Sequence, residues 1–160
     1  MVIIRERCHI CGKISDFVIV ENATLFRDAT CSYCGASIRA SDVANVIIKE
    51  YGGEYASLAE ADDKLPVRTI LNASTSGYIH EYLKFYPEYI SGEYLDEVKS
   101  GQYKEGILSI DLCDIPFGDN SIDLVISEDV FEHVRDYEKA FREVYRVLKP
   151  NGRHIFTIPL

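Results

Sequence analysis

Four of the five cysteines form two pairs with the same local sequence. One pair lies at positions 8 and 11 and the other at positions 31 and 34; each is a CxxC followed by glycine, and 19 residues separate them. Two thiolates three residues apart can hold one metal ion from a tight turn. The spacing is typical of a four-thiolate zinc site. We therefore predict one structural Zn²⁺ ion bound by all four, Cys8, Cys11, Cys31 and Cys34.

A disulfide pair and a redox CxxC are the alternatives to zinc. Disulfides are disfavoured in a reducing cytoplasm, and a redox motif normally occurs once, near a βαβ unit. Between the pairs, residues 17–20 and 25–27 predict two short strands around a turn at 21–24, as in a zinc ribbon. Four protein ligands would close the site, so its predicted role is structural. We interpret His9 as a spacer within the first pair and Cys113 as a buried apolar residue.

The charge is distributed unevenly along the chain. The net charge is −9: residues 1–40 carry five basic and four acidic side chains, and the other 120 residues carry 12 basic and 22 acidic ones. An acidic body repels phosphate backbones, so nucleic acid is an unlikely main partner. The hydrophobic and charged fractions, 47% and 27%, are ordinary for a globular protein.

No segment has the composition of a membrane or export signal. No apolar run approaches the roughly 18 residues that a membrane span requires. The first residues, MVIIRER, lack the basic, apolar and cleavage regions of a secretion signal. We expect a cytoplasmic protein with a small-molecule substrate and no membrane partner.

Strands alternate with helices in the second part of the chain. The pattern predicts a helix that begins at Ser41–Asp42 and ends at Gly52–Gly53, then a polar connection. The segments are a zinc ribbon over 1–40, a helix and connection over 41–66, and an α/β domain over 67–160. We predict helices over 77–85 and from Asp136 to Leu148, and strands at 67–73, 89–91, 107–110, 122–127 and 154–158. This order implies a doubly wound, mostly parallel Rossmann-like sheet of about five strands, with a ligand at their carboxyl ends.

Three sequence blocks between residues 107 and 159 carry a family resemblance. They read DLCDIPFGDNSIDLV at 111–125, SEDVFEHV at 127–134 and RVLKPNG at 146–152. The blocks resemble class I S-adenosylmethionine (SAM)-dependent methyltransferases of the type 11 kind. In that family an acidic residue precedes a Leu-Pro-Phe-like segment, Phe-Asp-Leu-Val, a Leu-Glu-His-Val-like segment and Arg-Val-Leu-Lys-Pro-Gly-Gly. The resemblance extends over residues 67–159 and implies SAM as cofactor.

The resemblance also implies roles for residues at the strand ends. Asp111 would accept a hydrogen bond from the adenine amino group; the alternative is a carboxylate that caps a turn. Apart from the resemblance, Glu93 at the end of the second strand would bind the ribose hydroxyls, as in nucleotide-binding α/β folds generally, with Asp96 and Glu97 as alternatives. The resemblance further assigns Leu112 and Ser127 to the cofactor pocket.

The turn after the first predicted strand departs from the family pattern. The family typically has Asp-x-Gly-x-Gly-x-Gly there, whereas residues 72–77 read NASTSG and keep only the last glycine, Gly77. Asn72 stands where the family acid contacts the methionine amino group. The hydroxyls of Ser74 and Ser76 would contact the cofactor or cap the following helix. His133 is either a general base for an oxygen or nitrogen nucleophile or a helix cap, because methyl transfer requires alignment above all.

The predicted function is methyl transfer from SAM to a small-molecule or sugar-type acceptor. One alternative is a non-catalytic SAM-binding or scaffold protein with the same fold. Another is that the zinc ribbon recruits a protein or RNA. The family fold has seven strands and only five are predicted here, so we expect the C-terminal part of the fold to be missing. An open sheet edge would favour a homo-oligomer.

Overall fold

A computed structural model describes residues 2–19 and 29–159. The chain divides into two compact units, Met1–Pro66 and Val67–Leu160. The strand predicted at 25–27 and its turn at 21–24 lie outside the described residues. The further boundary predicted at residue 40 stays a prediction.

The first unit contains a β-hairpin and two helices. Strands β1 (Val2–Arg7) and β2 (Ile14–Ile19) pair antiparallel, and helices α1 (Ile38–Tyr51) and α2 (Leu58–Ala61) follow. Helix α1 begins three residues before the predicted start because Ser37, not Ser41, is its N-cap: the Ser37 hydroxyl accepts a hydrogen bond from the Ala40 amide. The sequence predicted neither β1 nor α2.

The second unit contains a six-stranded sheet in the order β5-β6-β4-β3-β7-β8. All five predicted strands are present, which confirms the mostly parallel Rossmann-like sheet. The short strand β5, antiparallel to β6, was not predicted. The strands are β3 (Thr69–Asn72), β4 (Glu88–Glu93), β5 (Tyr103–Lys104), β6 (Ile107–Ser109), β7 (Ile122–Glu128) and β8 (Leu148–Thr157).

Strand β3 lies at the point where the strand order reverses. The chain runs from β3 outward through β4 and β6, then returns to place β7 on the other side of β3. Helix α3 (Gly77–Leu83) follows β3, and helix α4 (Tyr137–Val147) follows β7 after a short 3₁₀ turn. In such sheets ligands bind outside the carboxyl ends of the strands at this reversal. No described helix has both the length and the apolar composition of a membrane span.

Helix α4 and strand β8 differ in detail from the sequence prediction. Asp136 caps α4 as expected, because its carboxylate accepts from the Lys139 amide. The helix ends one residue earlier than predicted, and β8 begins at Leu148, six residues before the predicted strand. There the pairing with β7 shifts register, and Asn151 has a φ of 67°. Strand β8 is the last strand of the described sheet on that side, and association at its edge stays a prediction.

The apolar core of the second unit contains one face of the sheet together with α4. Leu71 and Val125 from the central strands belong to the same buried cluster as α4 side chains. The α4 members are Ala140, Val144 and Val147. On α3, Ile79 and Leu83 are buried as well. This packing fixes the strands whose carboxyl ends carry the predicted ligand-binding residues.

Candidate functional site

The four paired cysteines converge on one point in the first unit. Their sulfur atoms all lie within 4.8 Å of one another. The Sγ atoms of Cys8 and Cys34 are 3.7 Å apart, and those of Cys11 and Cys31 are 3.8 Å apart. A tetrahedral site with Zn–S bonds of about 2.3 Å has sulfur–sulfur separations of about 3.8 Å. The number, chemistry and spacing of these donors therefore fit one tetrahedral metal ion.

Both CxxC pairs have the same backbone geometry. The Gly12 amide donates to the Cys8 carbonyl at 2.8 Å, and the Gly35 amide donates to the Cys31 carbonyl at 2.9 Å. The two glycines have φ angles of 80° and 79°. Residues that carry a side chain rarely adopt this left-handed backbone conformation, which explains why glycine follows each pair.

Burial and hydrogen bonding shift the pKa values of three of the cluster thiols. Burial raises the pKa of Cys8 and of Cys34. Burial also acts to raise the pKa of Cys31, but hydrogen bonds from Ser15 and from neighbouring backbone amides lower it to about 6. Cysteine binds a metal ion as the thiolate, so a bound cation would favour deprotonation of all four ligands. His9 does not belong to the cluster, since its Nδ1 contacts the Ser41 hydroxyl at 3.4 Å.

The second candidate site lies at the carboxyl ends of β3 and β4. Glu93 Oε1 accepts a hydrogen bond from the Thr75 amide at 3.3 Å and another from the Thr75 hydroxyl. The Ser74 hydroxyl donates to the Ser76 carbonyl at 3.2 Å and accepts from the Ser76 amide at 3.3 Å. Gly77 has a φ of 90°, and a Cβ there would meet no atom within 4 Å. The hydroxyl-rich first turn is therefore hydrogen-bonded to Glu93, the residue predicted to bind the ribose.

Asn72 belongs to a partly buried chain of polar side chains that the sequence did not predict. Its Nδ2 donates to the Tyr89 hydroxyl at 2.9 Å, and that hydroxyl lies 3.0 Å from His80 Nδ1. Burial raises the pKa of Tyr89 to about 12, so this phenol stays protonated. Asn72 Oδ1 is buried and has no hydrogen-bond partner among residues 2–19 and 29–159. A buried acceptor without a partner is costly, so this atom is a place for a ligand donor.

Asp111 holds the turn that follows β6. Its Oδ1 accepts from the Cys113 amide at 2.8 Å, and its own amide donates to the Ser100 hydroxyl at 3.0 Å. One oxygen of this carboxylate, Oδ1, therefore caps the turn, as the alternative interpretation predicted. The structure leaves Asp111 partly exposed at the same edge of the sheet as Glu93, whose carbonyl accepts from the Ile110 amide.

The side chains of Leu112 and Ser127 do not lie with the polar residues at the strand ends (Asn72, Glu93 and Asp111). Leu112 is packed in the apolar core. Ser127 is fully buried, and its hydroxyl lies 2.8 Å from His154 Nε2. The alternative ribose ligands Asp96 and Glu97 are exposed and follow β4 in the chain. These positions were identified by resemblance alone, which carries no information on where a side chain points.

His133 stands apart from the strand-end group. It ends the 3₁₀ turn Phe131–His133, its side chain is 80% exposed, and its Nε2 is 4.0 Å from Glu132 Oε1. In the part of the chain that the structure describes, no hydrogen bond orients its ring. Nothing fixes this imidazole for proton transfer before a substrate is present.

An ionic clamp that the sequence did not reveal holds the loop after Asp111. The Arg146 guanidinium donates to the carbonyls of Ile115 and Phe117 at 2.9 and 2.8 Å, and it pairs with Glu143 and Asp119. Glu143 in turn accepts from the Ile115 amide at 3.0 Å. Hydrogen bonds to these carboxylates raise the pKa of Arg146. The clamp fastens loop 115–119 to α4.

Two curated proteins match part of this chain in sequence. A relative from Actinopolyspora halophila, glycine/sarcosine/dimethylglycine N-methyltransferase, is 40% identical over 68 residues, which is 42% of this chain and 10% of that protein. Phosphoethanolamine N-methyltransferase 2 from Caenorhabditis elegans is 39% identical over 69 residues, 43% of this chain and 15% of that protein. The matched part of this chain thus spans a small share of either relative.

A solved structure and a family model also match this chain. The YcgJ protein from Bacillus subtilis has a TM-score of 0.49 and 21% identity, covering 72% of this chain and 49% of that one. The family model for a methyltransferase domain matches residues 73–156, more than half of the chain, including the first turn, Glu93 and Asp111. The chain belongs to the methyltransferase domain family.

Proposed function

We propose that this chain binds SAM at the carboxyl ends of β3, β4 and β6 and takes part in methyl transfer to a small-molecule acceptor. One observation carries the proposal: Glu93 is fastened to the first turn at the reversal of strand order, inside the segment that matches the family. Its Oε1 accepts both Thr75 hydrogen bonds, and its Oε2 accepts none from the described residues. An oriented carboxylate with one unfilled oxygen suits a ribose hydroxyl.

Three strand ends would each hold one part of the cofactor. Glu93 Oε2 would accept from the ribose, Asp111 from the adenine amino group, and Asn72 Oδ1 from the methionine amino group. The bound cofactor supplies a methyl group that is already activated on a sulfonium. The residues of this chain therefore bind and orient, and holding two reactants in line accounts for much of the rate.

The acceptor class rests on weaker support. The two relatives named above are N-methyltransferases whose names specify small amines. This favours a small-molecule acceptor over a macromolecule. His133 would accept a proton from a nitrogen or oxygen nucleophile. Because its ring is exposed and not oriented by a hydrogen bond from the described residues, we expect its contribution to turnover to be small. We expect His133→Ala to lower turnover by less than about tenfold; a loss beyond about a hundredfold would make it the general base.

Calorimetry with S-adenosylhomocysteine tests cofactor binding. We expect one ligand per chain, and a roughly tenfold weaker affinity for Glu93→Gln, because the amide nitrogen replaces the unfilled oxygen. Glu138→Gln is the matched control, since Glu138 pairs with Arg142 on the exposed side of α4. A folded chain without saturable binding would overturn the proposal. Transfer of labelled methyl groups to candidate amines then separates an enzyme from the non-catalytic alternative.

We also propose that the four cysteines bind one structural Zn²⁺ ion. The support is the four-thiolate donor set and the sulfur separations of 3.7 and 3.8 Å. With all four positions filled by protein, the ion would stabilise the fold and would not reach substrate. Metal analysis should find one zinc per chain, and Co²⁺ substitution should give thiolate charge-transfer absorption. A folded, reduced and metal-free chain would contradict this assignment.

A further inference from the structure

We propose that Thr75 is a positioning residue: it fastens Glu93 so that Oε2, and not Oε1, receives the ribose diol of a bound S-adenosyl ligand. The inference rests on the proposed function and goes one step further, because it assigns a role to a side chain in the first turn.

The backbone of Glu93 is fixed by the neighbouring strand. A Cβ added at Gly92 would come within 2.4 Å of the Leu108 carbonyl oxygen, so β4 and β6 approach closely at this point. The Glu93 carbonyl accepts from the Ile110 amide at 2.9 Å. Only the side chain of Glu93 therefore remains to be oriented.

The first turn is fixed on the opposite side. The Ala73 amide donates to the Ile126 carbonyl of β7 at 2.9 Å. The mutual hydrogen bonds of Ser74 and Ser76 then close the turn around Thr75. The Thr75–Glu93 contact thus joins two backbones that are each anchored to the sheet independently.

The two donors of Thr75 make the two carboxylate oxygens of Glu93 unequal, because both donate to the same oxygen. Amide and hydroxyl both donate to Oε1, which has two lone pairs and is filled by them. Oε2 accepts nothing from residues 2–19 and 29–159. A ribose hydroxyl can therefore bind Oε2 while both Thr75 hydrogen bonds persist, and the glutamate needs no reorientation. A long side chain that must be immobilised on binding lowers affinity by about two- to tenfold.

The hydroxyl is the part of Thr75 that a substitution can remove. Any residue except proline would keep the amide donor. Thr75→Val therefore loses the hydroxyl hydrogen bond and keeps the branched shape, whereas Thr75→Ser keeps the hydrogen bond. We expect Thr75→Val to weaken S-adenosylhomocysteine binding by about two- to tenfold. Thr75→Ser should bind as the unaltered chain does. Calorimetry gives the affinities, circular dichroism confirms folding, and Thr75→Ala replaces the valine variant if that one does not fold.

Two further measurements separate positioning from a structural effect. An S-adenosylhomocysteine analogue with a 2′,3′-dideoxyribose should bind the chain and Thr75→Val equally, because it has no hydroxyl for Oε2. In a Glu93→Gln background, Thr75→Val should have little additional effect. Equal losses in both backgrounds would mean that Thr75 acts through another contact and would overturn the inference.

The sign of the change decides between positioning and competition. Unchanged or tighter binding by Thr75→Val would show that Thr75 contributes nothing or occupies an oxygen that the ribose needs, and either result overturns the inference alone. Failure of the unaltered chain to bind S-adenosylhomocysteine overturns the proposed function together with the inference.

Discussion

The cysteine cluster and the carboxyl end of the sheet are two polar sites of opposite kinds. In the cluster, four sulfurs face one another within 4.8 Å, and the backbone turns on either side are matched. At the sheet edge, acceptors such as Glu93 Oε2 and Asn72 Oδ1 have no partner among the described residues. The first site is complete once a metal is bound, whereas the second needs a ligand from outside.

This difference separates two kinds of substitution. At the metal-loaded cluster, and wherever donors and acceptors are satisfied within the protein, a change should lower stability and leave S-adenosylhomocysteine affinity nearly unaltered. Where an acceptor is unfilled, a change should lower affinity and leave stability nearly unaltered.

Loss of one cysteine ligand should have the largest effect. Cys31→Ser removes one of four thiolates, so we expect zinc affinity to fall by more than about a hundredfold, beyond the range for changes around an intact ligand set. Metal analysis after dialysis against a weak chelator measures this. Cys113→Ser is the control, because Cys113 lies outside the cluster. Stoichiometric zinc in Cys31→Ser would show that the cluster does not require all four thiolates.

The clamp on loop 115–119 should show the next largest effect. Arg146→Met leaves Glu143 and two loop carbonyls without their donor, and we expect the free energy of unfolding to fall by about 2–3 kcal/mol. Urea denaturation measures it. Arg142→Met is the control, since both partners of the Arg142–Glu138 pair are well exposed. An unchanged urea midpoint for Arg146→Met would show that the clamp is not a stabilising feature.

Acidic pH should destabilise the second unit through His154. Burial lowers the pKa of His154 to about 4, whereas an unfolded histidine titrates near 6.5. The unfolded state therefore binds more protons between these values, and stability is lost as the pH falls through this window. We expect a loss of about 2 kcal/mol between pH 7 and pH 4.5. Urea midpoints at both pH values should show a smaller difference for His154→Gln; equal differences would exclude His154 as the cause.

Asp111→Asn should give the smallest effect and decide between its two roles. The amide oxygen can still accept from the Cys113 amide, so stability should change by less than about 0.5 kcal/mol. If the carboxylate also binds the adenine amino group, S-adenosylhomocysteine affinity should fall about three- to tenfold. Calorimetry measures it, with Asp114→Asn as control because Asp114 is exposed in the same turn. Unaltered affinity would assign Asp111 to the turn alone.

The sequence predicted those features whose signals are local. Each CxxC is a four-residue pattern, and the strands and helices of the second unit show their own hydrophobic periods. Strand β5 has only two residues and exists through its pairing with β6, so it has no signal of its own. The sequence predicted the start of α1 at Ser41–Asp42, but Ser37 caps the helix, and Ser41 is buried with its hydroxyl accepting from the His9 amide.

The contacts within the candidate site depend on register between strands that are distant in sequence. Asn72 meets Tyr89, and Thr75 meets Glu93, only because β3 and β4 pair with Ile70 opposite Tyr89. Nothing in the spacing of these residues predicts that register. The Arg146 clamp likewise joins positions 29 and 31 residues apart. Resemblance identified Asp111 and strand-end position identified Glu93 as ligand candidates, but neither revealed what holds these side chains.

The central position of β3 has a consequence for how the second unit folds. Its pairing with β4 links residues 19 apart, whereas its pairing with β7 brings Thr69 to Asp123, 54 residues away. Closing the longer loop loses more chain entropy, so we expect the β3–β4 pair to form first and the docking of β7 to limit the rate. The Ala73 amide reports on this step, because its acceptor is Ile126 of β7. In pulsed hydrogen exchange during refolding, Ala73 should gain protection later than the amides that pair β3 with β4, and simultaneous protection would indicate that the sheet forms in one step.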